Sequence, residues 1–226
     1  MTAAQLPKTD KIRVAVVTGG HPFDVPAFRD MYNGMPRLDV YLQDLDNWAA
    51  SRRNSTYGSY DAFVFYNMHS SGILSVRKDI DKEITDALTQ LGDSNQGIFI
   101  LHHALLAFPD MQVWSDVCDI QNRKLRLCKP PEPICTLVAN EEHPVTEGLD
   151  DWEMNDEIYL MDTPTQASQI LLKTNHPESM PTLAWAHQYR NAEVLCYQAG
   201  HDARAFTNPN FQALLARGIE WLARRR

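Results

Sequence analysis

The amino-acid sequence predicts an α/β fold in which helices cover both faces of a mostly parallel central sheet, with a β-hairpin excursion at a sheet edge. Three observations carry this. Short β-branched runs alternate with helical stretches in the N-terminal half, the pattern of strands joined by helical crossovers. The runs are apolar at consecutive positions, as strands covered on both faces are. The first, third and fourth runs end in glycine, asparagine or histidine, where loops gather beyond the carboxyl ends of such strands.

The elements follow in order. Ile12 to Val17 reads as a buried central strand opening into Gly19-Gly20, and Asp24 caps a short helix through Met31. Leu38 to Leu42 is a second strand, and Tyr60 to Asn67 a third. A helix from about Ser75 to Leu91 places Ile80, Ile84, Ala87, Leu88 and Leu91 on one face, with Gly92 at the left-handed cap position. Gly97 to Leu101 is a fourth strand that runs into His102-His103, and Asp110 is expected to cap the next helix. Leu125 to Cys128 and Ile134 to Val138 then read as a hairpin closed by a proline-rich turn. Strands follow at Glu157 to Leu160 and Ile170 to Leu172. Thr182 to His187 and Glu193 to Tyr197 are antiparallel partners about Arg190-Asn191, and Asn208-Pro209 caps a closing helix. No linker, repeat or low-complexity tract interrupts the chain, so one domain is expected over residues 1–226.

Composition excludes several classes. At 226 residues a chain can bury roughly 70% of its unfolded surface and needs no metal or disulfide staple. The balance of 29 acidic against 21 basic residues, a net charge of -8, argues against a nucleic-acid partner. The one basic run, Arg224-Arg225-Arg226, suits the carbonyl end of a terminal helix. Met1 to Asp10 holds no apolar core of a signal peptide, and Ile98 to Phe108 is too short to span a bilayer. A cytoplasmic protein with no membrane partner is the expectation, and the sequence leaves a homo-oligomer open. Cys118, Cys128, Cys135 and Cys196 form no C-x-x-C pair. Cys128 and Cys135 could face each other across the hairpin, though reduced thiols are the expected state.

The chemistry gathers at strand ends: Gly20 and His21, Asn67 and His69, His102 and His103, then His201 and Asp202. Adjacent side chains on a strand point oppositely, so one of His102 and His103 should face a cleft, and His103 is preferred. No serine or cysteine stands at this corner, so an acyl-enzyme or thioester mechanism there is not expected. Trp114 reads either as the floor of a sugar-sized pocket or as a core tryptophan. His143 lies near a turn, and Asp156 and Glu157 supply carboxylates to orient imidazoles, share protons or bind a metal.

Together the motifs are familiar. Val16-Val17-Thr18-Gly19-Gly20-His21, Tyr66-Asn67, Leu101-His102-His103-Ala104, His143-Pro144-Val145-Thr146-Glu147-Gly148-Leu149, Asp156-Glu157-Ile158-Tyr159 and Gly200-His201-Asp202 occur in this order. From about Ile12 to Leu222 the chain resembles the trehalose-utilisation (ThuA-like) family of the class I glutamine-amidotransferase-like superfamily. The resemblance implies a flavodoxin-like three-layer sandwich. It also implies a role in metabolism of trehalose or related disaccharides through 3-keto sugars. Amidotransferases of that superfamily carry a cysteine at the corner after a central strand; none stands here, so glutaminase activity is not expected.

The expectation is an enzyme acting on a sugar, with His103 as acid/base, His201 as its partner or electrophile, and Glu157 orienting an imidazole or carrying a proton. Gly20, His21, Asn67, Trp114, His143 and Asp202 are assigned to substrate binding. A divalent metal held by imidazoles and a carboxylate would serve the same carbonyl chemistry, although no H-x-x-x-H or H-x-H spacing is present. A non-catalytic sugar-binding or regulatory module is the rival reading, and hydrolysis by metal-activated water a third.

Overall fold

The structure, a computed structural model, describes residues 10–54, 56–70 and 80–223. The expectations for the first nine residues, for the start of the helix at Ser75 and for Arg224 to Arg226 lie outside them. Among the described residues the strands are β1 (Ile12–Gly19), β2 (Leu38–Asp44), β3 (Ala62–Asn67), β4 (Gly97–Leu101), β5 (Leu127–Val138), β6 (Trp152–Leu160), β7 (Gln169–Lys173), β8 (Thr182–Tyr189) and β9 (Ala192–Tyr197). The helices are α1 (Val25–Asn33), α2 (Leu45–Ala50), α3 (Asp81–Thr89), α4 (Gln112–Cys118), α5 (Ala203–Phe206) and α6 (Pro209–Leu222).

The strands form one sheet in the order β2-β1-β3-β4-β9-β8-β7-β5-β6. From β2 to β9 every pairing is parallel. From β9 to β6 every pairing is antiparallel. The sheet is therefore mixed, which corrects the expectation of a mostly parallel one. The alternation of strand and helix that predicts parallel pairing stops at α4, and the connections from β7 to β8 and from β8 to β9 are too short for crossovers.

Period-two alternation divides the core between the two faces. Val14, Val16, Val64, Tyr66, Phe99 and Leu101 face α1, α5 and α6. Ala15, Val17, Phe63, Phe65, Ile98 and Ile100 face α2, α3 and α4. The expected stripe on α6, Phe211, Leu214, Leu215, Ile219 and Leu222, is fully buried. Asp24 and Asn208 cap α1 and α6 as the sequence predicts. Asp110 does not cap α4: the cap position is Met111, which makes no side-chain bond there.

The proline-rich segment is not a turn. Residues 127–138 form one strand with a register shift between Lys129 and Glu132, and the partner is β6, not the strand's own second half. Pro130, Pro131 and Pro133 remove ladder donors, and the bulge absorbs them without reversing the chain. Cys128 and Cys135 are both free thiols on this strand, roughly 20 Å apart along it and far beyond disulfide reach. Only Leu137 and Val138 of β5 pair with β7, so the rest of β5 leaves with β6 as a two-stranded ribbon. In sheet order β6 stands five places from β4, or roughly 24 Å. Yet Glu157 of β6 lies 3.4 Å from His102, which follows β4. The ribbon must therefore arch back over the carboxyl ends of the parallel strands.

The corner beneath that arch is held by a buried arginine. Arg123 donates to the carbonyl oxygens of Leu105, Ala107 and Phe108 at 2.6 to 2.9 Å and to Ser115 Oγ at 3.0 Å. Leu105 is in a short 3-10 helix, His102–Leu106, and Ala107 and Phe108 follow it, outside any strand ladder. Arg123→Met fills the volume but takes the guanidinium donors from the Leu105 and Ala107 carbonyls, while Phe108 keeps the Met111 N–H, so a loss of about 3 kcal/mol is expected in urea unfolding; an unchanged midpoint would contradict this role.

Candidate active site

Three elements deliver the polar groups that meet under the ribbon. The first is the corner after β4. His102 sits there at φ 53°, left-handed and costly for a residue with a Cβ, the kind of strain that collects at functional corners. His102 and His103 belong to the 3-10 helix and not to the strand, so alternation does not force their rings apart. The ring centroids lie 5.1 Å from each other.

The second element is β6, where alternation does apply. Glu157 and Tyr159, two residues apart, point to the same side, and Asp156 to the other. The Tyr159 hydroxyl lies 3.0 Å from Glu157 Oε2 and 3.1 Å from His102 Nε2. His102 Nδ1 is 2.7 Å from the Gln198 carbonyl oxygen. A carbonyl only accepts, so the proton of a neutral His102 sits on Nδ1 and the Nε2 lone pair faces Glu157.

The third element is the loop after β9. Buried Asp156 accepts from the backbone N–H of Gly200 at 2.6 Å, His201 at 3.1 Å and Glu157 at 2.8 Å. The Tyr66 hydroxyl donates to the Gly200 carbonyl at 2.7 Å from the other side. Gly200 has φ 127°, and a Cβ there would stand 3.3 Å from Phe211 and 3.4 Å from His102 Cβ, so this turn requires glycine. The loop so held brings His201 Nδ1 to 3.2 Å from Glu157 Oε2. The side chains of His102, Glu157 and His201 are 0%, 17% and 26% exposed, so the cluster opens to solvent through His201.

The environment separates the charges of neighbouring groups. Burial alone would raise the Glu157 carboxyl, but its neighbours His102 and His201 and the Tyr159 hydroxyl outweigh it and hold it below its ordinary value. Burial, with His102 and His21 adding to it, drives the His103 imidazole down to about 2. Burial also pushes the Asp156 carboxyl up, against the pull of His102 and the three N–H donors.

The candidates from sequence divide accordingly. His201 and Glu157 meet, and the imidazole that meets them is His102, not the preferred His103. His103 instead faces the Tyr66 carbonyl through Nε2 at 3.2 Å and packs 4.6 Å from His21 between ring centroids. Its Nδ1 and the Nδ1 of His21 have no hydrogen-bond partner among the described residues. Gly20 has φ 75° and approaches Met68 so closely that a Cβ would lie 2.4 Å from its carbonyl oxygen. Asn67 is fully buried, with Nδ2 against His69 Nδ1 at 3.1 Å and Oδ1 without a partner.

Three candidates are elsewhere or otherwise engaged. Trp114 is fully buried between Phe65 and Phe108 and donates to the Ala104 carbonyl, so it is a core residue. His143 packs on Trp221, and its Nδ1 accepts from the Val145 N–H within a turn. Asp202 caps α5, and its hydrogen bonds to Arg204 hold its carboxyl below the ordinary value. Sequence reasoning missed Tyr159, whose position two residues beyond Glu157 was the available signal. Nothing in the sequence pointed to the Gln198 carbonyl.

Two measurements check this arrangement. Asp156→Ala would take the acceptor from three N–H groups, that of Gly200 buried and those of His201 and Glu157 partly so, and cost about 3 kcal/mol, read by chemical denaturation; a change within error would remove Asp156 as the anchor of the loop. The second concerns pH. His103 has an ordinary value of 6.5 and a folded value of about 2, so between these the unfolded chain holds a proton that the folded chain lacks. Stability from this ring is complete above 6.5 and falls as the pH drops below it. Moving from about pH 7.5 to about pH 5.5 should cost roughly 1 kcal/mol more in the parent than in His103→Gln; equal losses would refute the assignment.

Comparison with known proteins agrees with this fold. A ThuA-like protein of Parabacteroides merdae superposes with a TM-score of 0.72 at 17% identity, covering 95% of this chain and 90% of the other. One from Bacteroides uniformis gives 0.71 at 16% identity, covering 97% and 94%. A glutamine amidotransferase of Thermotoga maritima gives 0.56 at 7% identity, covering 94% and 98%. At these identities the likeness is one of fold. No curated protein matches the sequence significantly. Among the described residues no helix is long and apolar enough to cross a membrane. The family model for ThuA, described as trehalose utilisation, matches residues 13–222, and the chain therefore belongs to the ThuA family, which ties it to sugar metabolism.

Proposed function

We propose that the chain is an enzyme of carbohydrate metabolism that acts on a disaccharide or its 3-keto derivative by acid–base chemistry at His102, Glu157 and His201. The observation that carries this reading is an ionised carboxylate held between two imidazoles at the carboxyl ends of the strands, open to solvent through one of them. A sugar ketone acidifies the C–H beside it. Glu157 takes that proton, and His201 stands on the open side to stabilise the enolate oxygen. His102, its Nδ1 proton fixed on Gln198, keeps the carboxylate in place.

His103 is not the base in this reading. A ring held to about 2 stays neutral at working pH and has little affinity for a substrate proton. Its place is beside His21, and the unpartnered His21 Nδ1 and Asn67 Oδ1 are acceptors for sugar hydroxyls. Glutaminase activity is not proposed, because the corner after β4 carries His102 where thiol chemistry needs cysteine.

The test is incubation with 3-keto-trehalose or a related keto glycoside, with products followed by chromatography. His201→Ala and Glu157→Gln should each lower kcat/KM by about 10²- to 10⁴-fold. Undiminished turnover in the double variant would place the chemistry elsewhere. Calorimetric binding of an unmodified disaccharide, with no turnover of any keto glycoside, would replace the enzyme by a sugar-binding module.

A further inference from the structure

We propose that His102 Nε2, Glu157 Oε2 and His201 Nδ1 ligate one divalent cation of the zinc class, leaving coordination positions open on the side of His201. These three atoms all lie within 4.8 Å of one another. Ligands about 2.1 Å from such an ion stand about 3.4 Å apart in a tetrahedron and about 3.0 Å apart in an octahedron. The two edges that meet at Glu157 measure 3.4 Å and 3.2 Å. The cluster thus has nearly the spacing of a coordination shell.

The protons are disposed for an ion as well. His102 uses its Nδ1 proton on the Gln198 carbonyl at 2.7 Å, so the neutral ring has a bare Nε2. Tyr159 has one hydroxyl proton; given to Glu157 Oε2 at 3.0 Å, it leaves that Nε2 lone pair unused. His201 Nδ1 is buried as an atom and makes no hydrogen bond despite its 3.2 Å approach to the carboxylate. The bare Nε2 of a neutral His102, the Glu157 carboxylate oxygen and the unpartnered Nδ1 of His201 therefore converge, an arrangement that a cation resolves.

The surroundings have the second layer that metal ligands use. His102 donates its far nitrogen to a carbonyl, Tyr159 donates to the ligating carboxylate, and Asp156 grips the backbone of His201. Two histidines and one glutamate suit a zinc-class ion, and three protein ligands leave room for a substrate oxygen, as catalytic sites do and closed structural sites do not. Binding of the ion stands on this geometry alone; its role rests on the proposed sugar chemistry. There the cation takes over the electrophilic part assigned to His201. Ligation through Oε2 leaves the second oxygen of Glu157 to carry the proton.

The experiment is equilibrium dialysis of the chelator-treated chain against Zn²⁺, with elemental analysis, and titration with Co²⁺ followed by visible absorption. About one ion per chain with cobalt d–d bands is expected. Glu157→Gln, which keeps the side-chain volume, and His201→Ala should each weaken binding at least about 100-fold, and Tyr159→Phe about 10-fold or more. His176 stands 3.4 Å from Glu132 on the outer ribbon and offers a rival surface site, so His176→Ala should change nothing. Metal well below one equivalent with no cobalt spectrum overturns the proposal. So does binding that survives in Glu157→Gln and His201→Ala, or that is lost in His176→Ala. Stoichiometric metal without turnover of any keto glycoside would leave the site standing and remove the sugar chemistry instead.

Discussion

The arrangement depends on one buried carboxylate. Asp156 accepts three backbone N–H groups, from its own strand and from the loop after β9, and so joins β6 to that loop. Removing a carboxylate from water is costly, and convergent N–H donors offset that cost. Everything nearby follows from this joint. It sets where His201 lies, and strand alternation then turns Glu157 and Tyr159 the opposite way, toward His102.

Around the joint the protein assigns opposite electrostatic fates to neighbours. His102, His103, Glu157 and Asp156 lie within a few residues of contact, yet Glu157 is held ionised and His103 neutral. The difference is partnership. Glu157 is half-buried with imidazole and hydroxyl partners, whereas His103 is enclosed with other imidazoles and one carbonyl. Such divergence between adjacent titratable groups marks a place where proton affinity is shaped for use.

Much of this was legible in the sequence, and the rest was hidden for identifiable reasons. β1, β3 and β4 announce themselves because both of their faces are apolar, and α6 because its stripe is complete. His201 and Glu157 were legible as polar residues bordering strands. The preference for His103 over His102 rests on strand alternation, which does not apply where the chain turns into a 3-10 helix at His102. Trp114 and His143 show the limit of residue type as a guide, since one packs in the core and the other props a turn. The arch of β5 and β6 was illegible because prolines in sequence read as a turn, and only pairing with a distant partner makes them a strand.

Those prolines have a bearing on how copies of this chain behave together. Over most of its length β5 pairs on one side only, since β7 meets it just at Leu137 and Val138. A free strand edge is a template on which another chain can add a strand and begin to aggregate. Pro130, Pro131 and Pro133 present no N–H, and the adjacent bulge breaks the regular spacing that an incoming strand would need. The ribbon that carries the carboxylate over the site can thus stand away from the sheet while offering little to an intruding strand.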